Sequence, residues 1–369
     1  MKEENLIISL FIPSFGGGEA ERVVVNLANE FVRRGYHIHI VVLDENGPLL
    51  KEVSEKCQII NLSTKKVSKS FKSINKYIIK AKPDVLIANL NHLSIMILLA
   101  SFFVRAKTKY FVVEHNTPSK TSLASNKLSA KLLPFLMYLT YWRADRVIAV
   151  SKGVKNDLVK TIPYLRRKVE VIYNPIFSNE IMVRKNEPID DSWFLSQKAP
   201  TIISVGRLTL QKDFVTLLKA FTIVKKEMCA KLVILGEGEE RENLEKLAKD
   251  LEVLDDVYMP GFVSNPYKYM GKANVFVLSS IYEGFANVLV EALACGIPVV
   301  STDCESGPRE ILDNGKYGKL VPVGDAEKMA EAIIETLNSD YDPLPGIERA
   351  KQFSINDAVN HYMDIIENV

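Results

Sequence analysis

Strand-length apolar runs alternate with helix-length amphipathic stretches along most of this chain, and that alternation admits few folds. Leu6 to Ile12, His37 to Leu43, Asp84 to Asn89, Lys109 to Val113, Arg146 to Val150 and Val169 to Tyr173 read as strands, with helical patterns between most of them. Such a βαβ series predicts a mainly parallel sheet. After Asn174-Pro175 the pattern lapses from Phe177 to Lys198. A second series then opens with Thr201 to Val205 and continues through Lys231 to Leu235, Val257 to Met259, Val275 to Leu278, Pro298 to Ser301 and Gly318 to Val321. The economical reading is an α/β chain of two doubly wound, Rossmann-like domains, residues 1–175 and 176–354, facing each other across a cleft. Ligands are expected there, at the carboxyl ends of the strands. With 369 residues, 47% hydrophobic and 25% charged, the chain has material for two cores and does not read as a fibre, a disordered tail or a disulfide scaffold.

The richest local signal is Ile281-Tyr-Glu-Gly-Phe-Ala-Asn-Val-Leu-Val-Glu-Ala-Leu-Ala-Cys-Gly-Ile-Pro-Val-Val300. The strand Val275 to Leu278 leads into a polar turn, Ser279 to Ala286. Asn287 then reads as the N-cap of a helix that Gly296 stops. The N–H groups of Asn287, Val288 and Leu289 are expected to point at an anion, a geometry worth roughly 0.3–1 kcal/mol from the helix dipole. Glu283 and Glu291 stand eight residues apart, about 12 Å if helical at ~1.5 Å per residue. Paired glycosidase carboxylates lie ~5–9.5 Å apart, so these two fit better as acceptors for separate sets of hydroxyls on either side of a diphosphate. That describes a nucleotide sugar. The bland alternatives are a solvated turn glutamate at 283 and a first-turn helix glutamate at 291.

The segment resembles the signature of the GT4-type retaining glycosyltransferases of GT-B fold, and the resemblance extends along almost the whole chain. It implies that Glu283 contacts the donor sugar, that the backbone of Asn287, Val288 and Leu289 meets the diphosphate, and that Glu291 holds the ribose. The loop Pro13-Ser-Phe-Gly-Gly-Gly-Glu, with Gly17 and Gly18, is by itself equally a tight turn or a ligand loop. Within the family it faces the donor phosphates and the acceptor. His115, in Glu114-His-Asn116, follows a strand end and matches the family histidine beside the reacting sugar. Arg207 and Lys212 match the G-R-x5-K pair that neutralises the leaving diphosphate, and Gly236 belongs to the family's G-x-G turn near the nucleotide base. Asp213 is a plausible N-cap beside Lys212. The Gly307-Pro-Arg-Glu-Ile311 variant, with G-G-G-E-A-E-R and E-H-N, is similar to transferases of N-acetylhexosamines, notably N-acetylgalactosamine, onto polyprenyl diphosphate-linked oligosaccharides. Retention of anomeric configuration, a UDP-sugar as co-substrate, no cofactor and no metal are implied with it. A sugar-nucleotide epimerase of the same fold and a non-catalytic nucleotide-sugar-binding subunit are the alternatives.

The net charge of +2 conceals a division: residues 1–172 hold 27 Lys/Arg and 14 Asp/Glu, whereas the rest hold 20 and 31. Lys65, Lys66, Lys69, Lys72 and Lys76 lie along an expected helix, 65–80, whose apolar stripe is Val67, Phe71, Ile74 and Ile78. Such a helix suits an anionic membrane or a lipid diphosphate, or simply packs its stripe on the sheet. The apolar run Leu132 to Trp142, with lysines before it, favours peripheral association with the inner face of the cytoplasmic membrane. No nucleic-acid recognition motif is present, so no nucleic-acid partner is expected. Four dispersed cysteines read as reduced cytosolic thiols. No signal peptide or spanning segment is expected. The C-terminal stretch, 355–369, is expected to be a helix that returns to the first domain.

Overall fold

The computed structural model describes residues 6–64, 66–124, 128–195 and 199–368. The chain divides into two compact units, Met1–Ile176 with Ile355–Val369, and Phe177–Ser354.

The first unit is built on a seven-stranded sheet: β1 (Ile7–Ile12), β2 (His37–Val42), β3 (Gln58–Asn61), β4 (Val85–Asn89), β5 (Lys109–Glu114), β6 (Arg146–Ala149) and β7 (Val169–Val171). They lie in the order β3-β2-β1-β4-β5-β6-β7, and every pairing is parallel. The central strands are buried on both faces, which is why they read as continuous apolar runs. β3 is absent from the sequence reading. It is a four-residue edge strand with only Ile59 and Ile60 as apolar members, both half-buried, too short for a period to emerge.

The second unit carries six strands: β8 (Thr201–Val205), β9 (Lys231–Leu235), β10 (Val257–Gly261), β11 (Val275–Leu278), β12 (Val299–Thr302) and β13 (Lys319–Val321). Their order is β10-β9-β8-β11-β12-β13, again all parallel. In both units the order turns back at the first strand of the series, between β1 and β4 and between β8 and β11. At such a reversal the connections leave in opposite directions and open a crevice at the carboxyl ends.

Three local expectations are corrected. The stretch from Phe177 to Lys198 is not unpatterned chain: Asn179–Arg184 and Ser192–Leu195 are short helices, and Ile181, Ile189 and Phe194 are buried. Neither helix is long enough to display a period. The lysine-rich segment is not one helix from 65 to 80; a 3-10 turn at Val67–Lys69 precedes a helix over Phe71–Ala81. That helix buries Ile74, Tyr77 and Ile78, and the Tyr77 hydroxyl meets Ser9 Oγ of β1 at 2.6 Å. It is a crossover helix packed on the sheet, with Lys66, Lys69, Lys72 and Lys76 exposed; Lys65 lies outside the described residues. The third correction concerns Asn287 and belongs to the site.

The helix Ile355–Glu367 packs on the first unit, its Tyr362 ring 6.3 Å from Phe31 and its Asn360 accepting from Arg34 at 2.6 Å. Among the described residues no helix is long and apolar enough to cross a membrane.

Candidate functional site

In the second unit the loops leaving β8 and β11 meet at the strand-order reversal. Gln211 and Ile281 join them through Ile281 N–H to the Gln211 carbonyl at 2.8 Å, and Ser279 Oγ donates to the Lys212 carbonyl at 2.6 Å. This stitching places Lys212 Nζ 2.6 Å from Glu283 Oε1, and Ser280 Oγ lies at the same distance from that oxygen. Lys212 and Glu283 are both buried. A carboxylate so far from water is stable only when its charge is paired and hydrogen-bonded, which lysine and serine do here. Arg207, by contrast, is exposed on its loop.

Asp213 does cap the helix Phe214–Glu227, its carboxylate accepting from Thr216 N–H at 3.3 Å and from the Thr216 hydroxyl at 2.6 Å. Asn287 is not an N-cap. The capping position is Ala286, left-handed at φ 69°, and Asn287 opens the helix Asn287–Cys295. The left-handed turn brings the Ala286 carbonyl round to accept Leu289 N–H at 3.0 Å, so that N–H is engaged within the chain. Glu291, half-buried, accepts from the Tyr267 hydroxyl at 3.1 Å, an environment separate from that of Glu283. Gly296 ends the helix in the left-handed conformation, as expected.

Glycines let neighbouring loops touch backbone to backbone. A Cβ on Gly236, at φ +147°, would sit 1.9 Å from the Gly206 carbonyl oxygen, and one on Gly307 would sit 2.1 Å from that of Phe285. The loops after β8, β9, β11 and β12 thus form one packed rim. Ser306, on the last of them, has a buried Oγ with no hydrogen-bond partner among the described residues. Ser280, Tyr267 and Ser306 are absent from the sequence reading because lone serines and tyrosines carry no spacing signal.

In the first unit, Gly17 at φ +82° and the N-capping Gly18 precede the helix Glu19–Arg33. The loop is held by Phe15 N–H to the Asn46 carbonyl at 2.9 Å. His115 stands directly after β5, as expected, and is almost fully buried. Asn89, at the end of β4, gives its Nδ2 to the Phe11 carbonyl and turns its Oδ1 to His115 Nε2 at 2.9 Å. An amide oxygen only accepts, so Nε2 carries the ring hydrogen and Nδ1 is a bare acceptor. That Nδ1 has no hydrogen-bond partner among the described residues. Burial pulls the imidazole down to about 4, so the ring is neutral at ordinary pH. Beside it Glu114 is fully buried, accepting from Tyr141 and from Asn91 Nδ2 at 2.8 Å; burial outweighs both bonds and lifts the carboxyl to about 8.

Comparison with known proteins shows the family and the fold. The model of "Glycosyl transferases group 1" matches residues 185–357, and that of "Glycosyltransferase Family 4" matches residues 16–179. The chain is 34% identical over 344 residues, 90% of each protein, to the Campylobacter jejuni N-acetylgalactosamine-N,N'-diacetylbacillosaminyl-diphospho-undecaprenol 4-alpha-N-acetylgalactosaminyltransferase. It is 27% identical, over 98% of each chain, to a second alpha-1,4-N-acetyl-D-galactosaminyltransferase of the same organism. Among solved structures, Anabaena HepE in complex with UDP and glucose superposes with a TM-score of 0.81 at 19% identity, over 99% of this chain and 100% of that one. Sucrose-phosphate synthase from Thermosynechococcus elongatus gives 0.78 at 21%, over 98% of each. Two Rossmann-like units of parallel sheet, the Glu283 to Glu291 segment at the second unit's reversal point and relatives over nine-tenths of the length make this chain a family 4 glycosyltransferase of GT-B fold.

Proposed function

We propose that the enzyme transfers a sugar, an N-acetylhexosamine such as N-acetylgalactosamine, from a UDP-sugar to a polyprenyl diphosphate-linked glycan, with retention of anomeric configuration and without a metal ion. The observation that carries the donor half is the buried Lys212–Glu283 pair at the crevice of the second unit, Phe177–Ser354, read as the nucleotide-sugar domain. In this reading Lys212, Arg207 and the start of the helix at Asn287 and Val288 take up the diphosphate charge. Preorganised cations and amides act where the leaving group develops charge. Glu283 accepts from donor-sugar hydroxyls, Glu291 from the ribose, and Gly236 borders the base. The Leu289 N–H, already engaged, is dropped from the anion set.

The first unit is read as the acceptor domain, with Gly17 and Gly18 at its loop and His115 presenting Nδ1 to a sugar hydroxyl. A neutral histidine with a fixed tautomer accepts a hydrogen bond without contributing charge. Attack on the face the leaving group vacates, with the diphosphate taking the acceptor proton, needs no protein nucleophile. Support for the acceptor comes from the Campylobacter jejuni relatives, whose names specify diphospho-undecaprenol or PP-undecaprenol glycans. A lipid-linked acceptor places the enzyme on the cytoplasmic face of the membrane, held peripherally, with Lys66, Lys69, Lys72 and Lys76 on its basic side.

The test is UDP release from a panel of UDP-, GDP- and ADP-sugars, with and without polyprenyl diphosphate-linked glycans, for the wild type and Glu283→Gln. Release from one UDP-sugar that needs acceptor and falls by about 10²-fold or more in the variant is expected. Acceptor-independent isomerisation or release would identify an epimerase instead, and UDP binding without turnover a binding subunit. NMR of the product's anomeric centre reads retention directly, and chelator treatment reads the metal requirement.

A further inference from the structure

Among residues 62–144 the sequence holds fourteen Lys/Arg against only Asp84 and Glu114, and Glu114 is buried. Within that stretch the helix Leu133–Thr140 is apolar all round. Leu133 and Met137 face inward, whereas Phe135 and Leu139 stand in solvent at 58% and 49% exposure. A helix on the surface of a soluble domain ordinarily shows a polar outer face. Nearby, Phe103 is 73% exposed and Trp142 53%. Contacts link several of these side chains into an exposed apolar ridge. Phe71 meets Phe103 at 5.5 Å between ring centroids, and the adjacent Phe102 meets Trp142 at 5.4 Å.

Several polar groups along this ridge are already paired within the chain. Trp142 Nε1 donates to the Leu139 carbonyl at 3.1 Å, Thr140 Oγ1 to that of Leu136 at 2.8 Å, and the neighbouring Tyr164 hydroxyl to that of Tyr138 at 2.5 Å. Such internal pairing lowers the cost of moving the ridge out of water, because an unpaired donor in hydrocarbon costs several kcal/mol. Exposed Lys72, Lys76, Arg105, Lys107 and Lys131 accompany the ridge in the sequence and match the charge of acidic headgroups.

We propose that this ridge is a membrane-insertion face, seated at the headgroup–acyl boundary of an anionic bilayer with Phe103, Phe135, Leu139 and Trp142 as its anchors. It rests on the lipid-linked acceptor reading for its purpose, but not for its test. Trp142 and Trp193 are the only tryptophans, and Trp193 lies in the other unit, stacked on Tyr258. The full chain carrying Trp193→Phe therefore reports from Trp142 alone.

With vesicles of phosphatidylcholine and phosphatidylglycerol, the Trp142 emission shifts to the blue and is quenched by bromine-labelled acyl chains; raised salt weakens binding. Phe103→Ser with Phe135→Ser lowers vesicle partition by roughly tenfold or more. The matched change at exposed Leu344 of the other unit leaves it unchanged. An unquenched Trp142 at saturating vesicles, or equal partition of the serine variant, would overturn the proposal. So would a Trp142 shift that follows protein concentration without lipid, with a dimer in sedimentation velocity, since the occupant would then be a second copy of the chain. Transfer assayed in detergent separates the two readings. Insertion without elongation of any lipid-linked glycan would sink the acceptor reading alone, and elongation in detergent by a chain that never inserts would sink the face alone.

Discussion

Lys212 Nζ stands 2.6 Å from Glu283 Oε1, a buried ion pair that joins the loop leaving β8 to the loop leaving β11. The two residues are 71 positions apart, and each was assigned to a donor through a different motif. Their pairing makes the loops hold one another. Removing one partner leaves the other charge buried and uncompensated, a loss of about 3–5 kcal/mol. Lys212→Ala is expected to lose that much in urea unfolding, and adding Glu283→Gln is expected to return a large part of it. Simple additivity in the double-mutant cycle would show that the pair does not support the fold.

Glycine contacts on the rim lead to a paired comparison. Gly236→Ala places a Cβ 1.9 Å from the Gly206 carbonyl oxygen at φ +147°, and a loss above about 4 kcal/mol is expected. Gly324 has φ +76° with nothing within 4 Å, so Gly324→Ala carries only the conformational penalty, roughly 1–2 kcal/mol. Thermal unfolding of both variants checks the ordering; equal losses would mean that loop contact contributes nothing.

Glu114 predicts a pH dependence whose sign is definite. Its carboxyl is raised from 4.5 to about 8 in the folded chain by burial, so the native state holds a proton that the unfolded state has released. The resulting stabilisation is complete below 4.5 and is lost as pH rises through 8, at up to about 1.4 kcal/mol per pH unit. His115 acts in the opposite sense and lower down: lowered from 6.5 to about 4, it costs stability as pH falls across that interval. Between pH 6.5 and 8, Glu114→Gln is therefore expected to flatten the decline seen in the wild type, read by hydrogen exchange of amides in β4 and β5. A wild type that is already flat there would contradict the protonated carboxyl.

Asn89 is expected to set both the tautomer and the charge of His115. In ¹⁵N-histidine spectra the wild-type ring should carry its hydrogen on Nε2. Asn89→Asp keeps an acceptor at that nitrogen but adds a negative charge, which favours imidazolium. If transfer needs neutral His115, the acid limb of its pH profile moves to higher pH in the variant. A reduced rate with an unmoved limb would assign Asn89 to packing alone.

Much of this molecule was legible before folding. Strands buried on both faces declare themselves as apolar runs, so twelve of the thirteen strands could be placed within a residue or two, and the alternation with helices specified parallel sheets. The Glu283 to Glu291 segment is contiguous, and a contiguous motif survives in the linear order. Gly296 ended its helix where expected because a left-handed cap needs only a local residue. The lysine segment and the stretch after Phe177 misled for the converse reason. A 3-10 turn and one-turn helices are too short to carry a period, and packing on the sheet decides where they lie.

What the sequence by itself determined, then, is whatever depends on local periodicity or on an uninterrupted motif: the two α/β series and the family, from which the residues proposed for the donor follow. Tertiary structure alone decided which of those residues face each other. Lys212 meets Glu283, Asn89 meets His115, and Tyr267 meets Glu291, because parallel strands bring distant loops to one edge. It also decided that Ala286 rather than Asn287 precedes the helix, since a left-handed residue there is set by the packing of the loops around it. Burial, which moves Glu114 up and His115 down, exists only once the chain has closed around them.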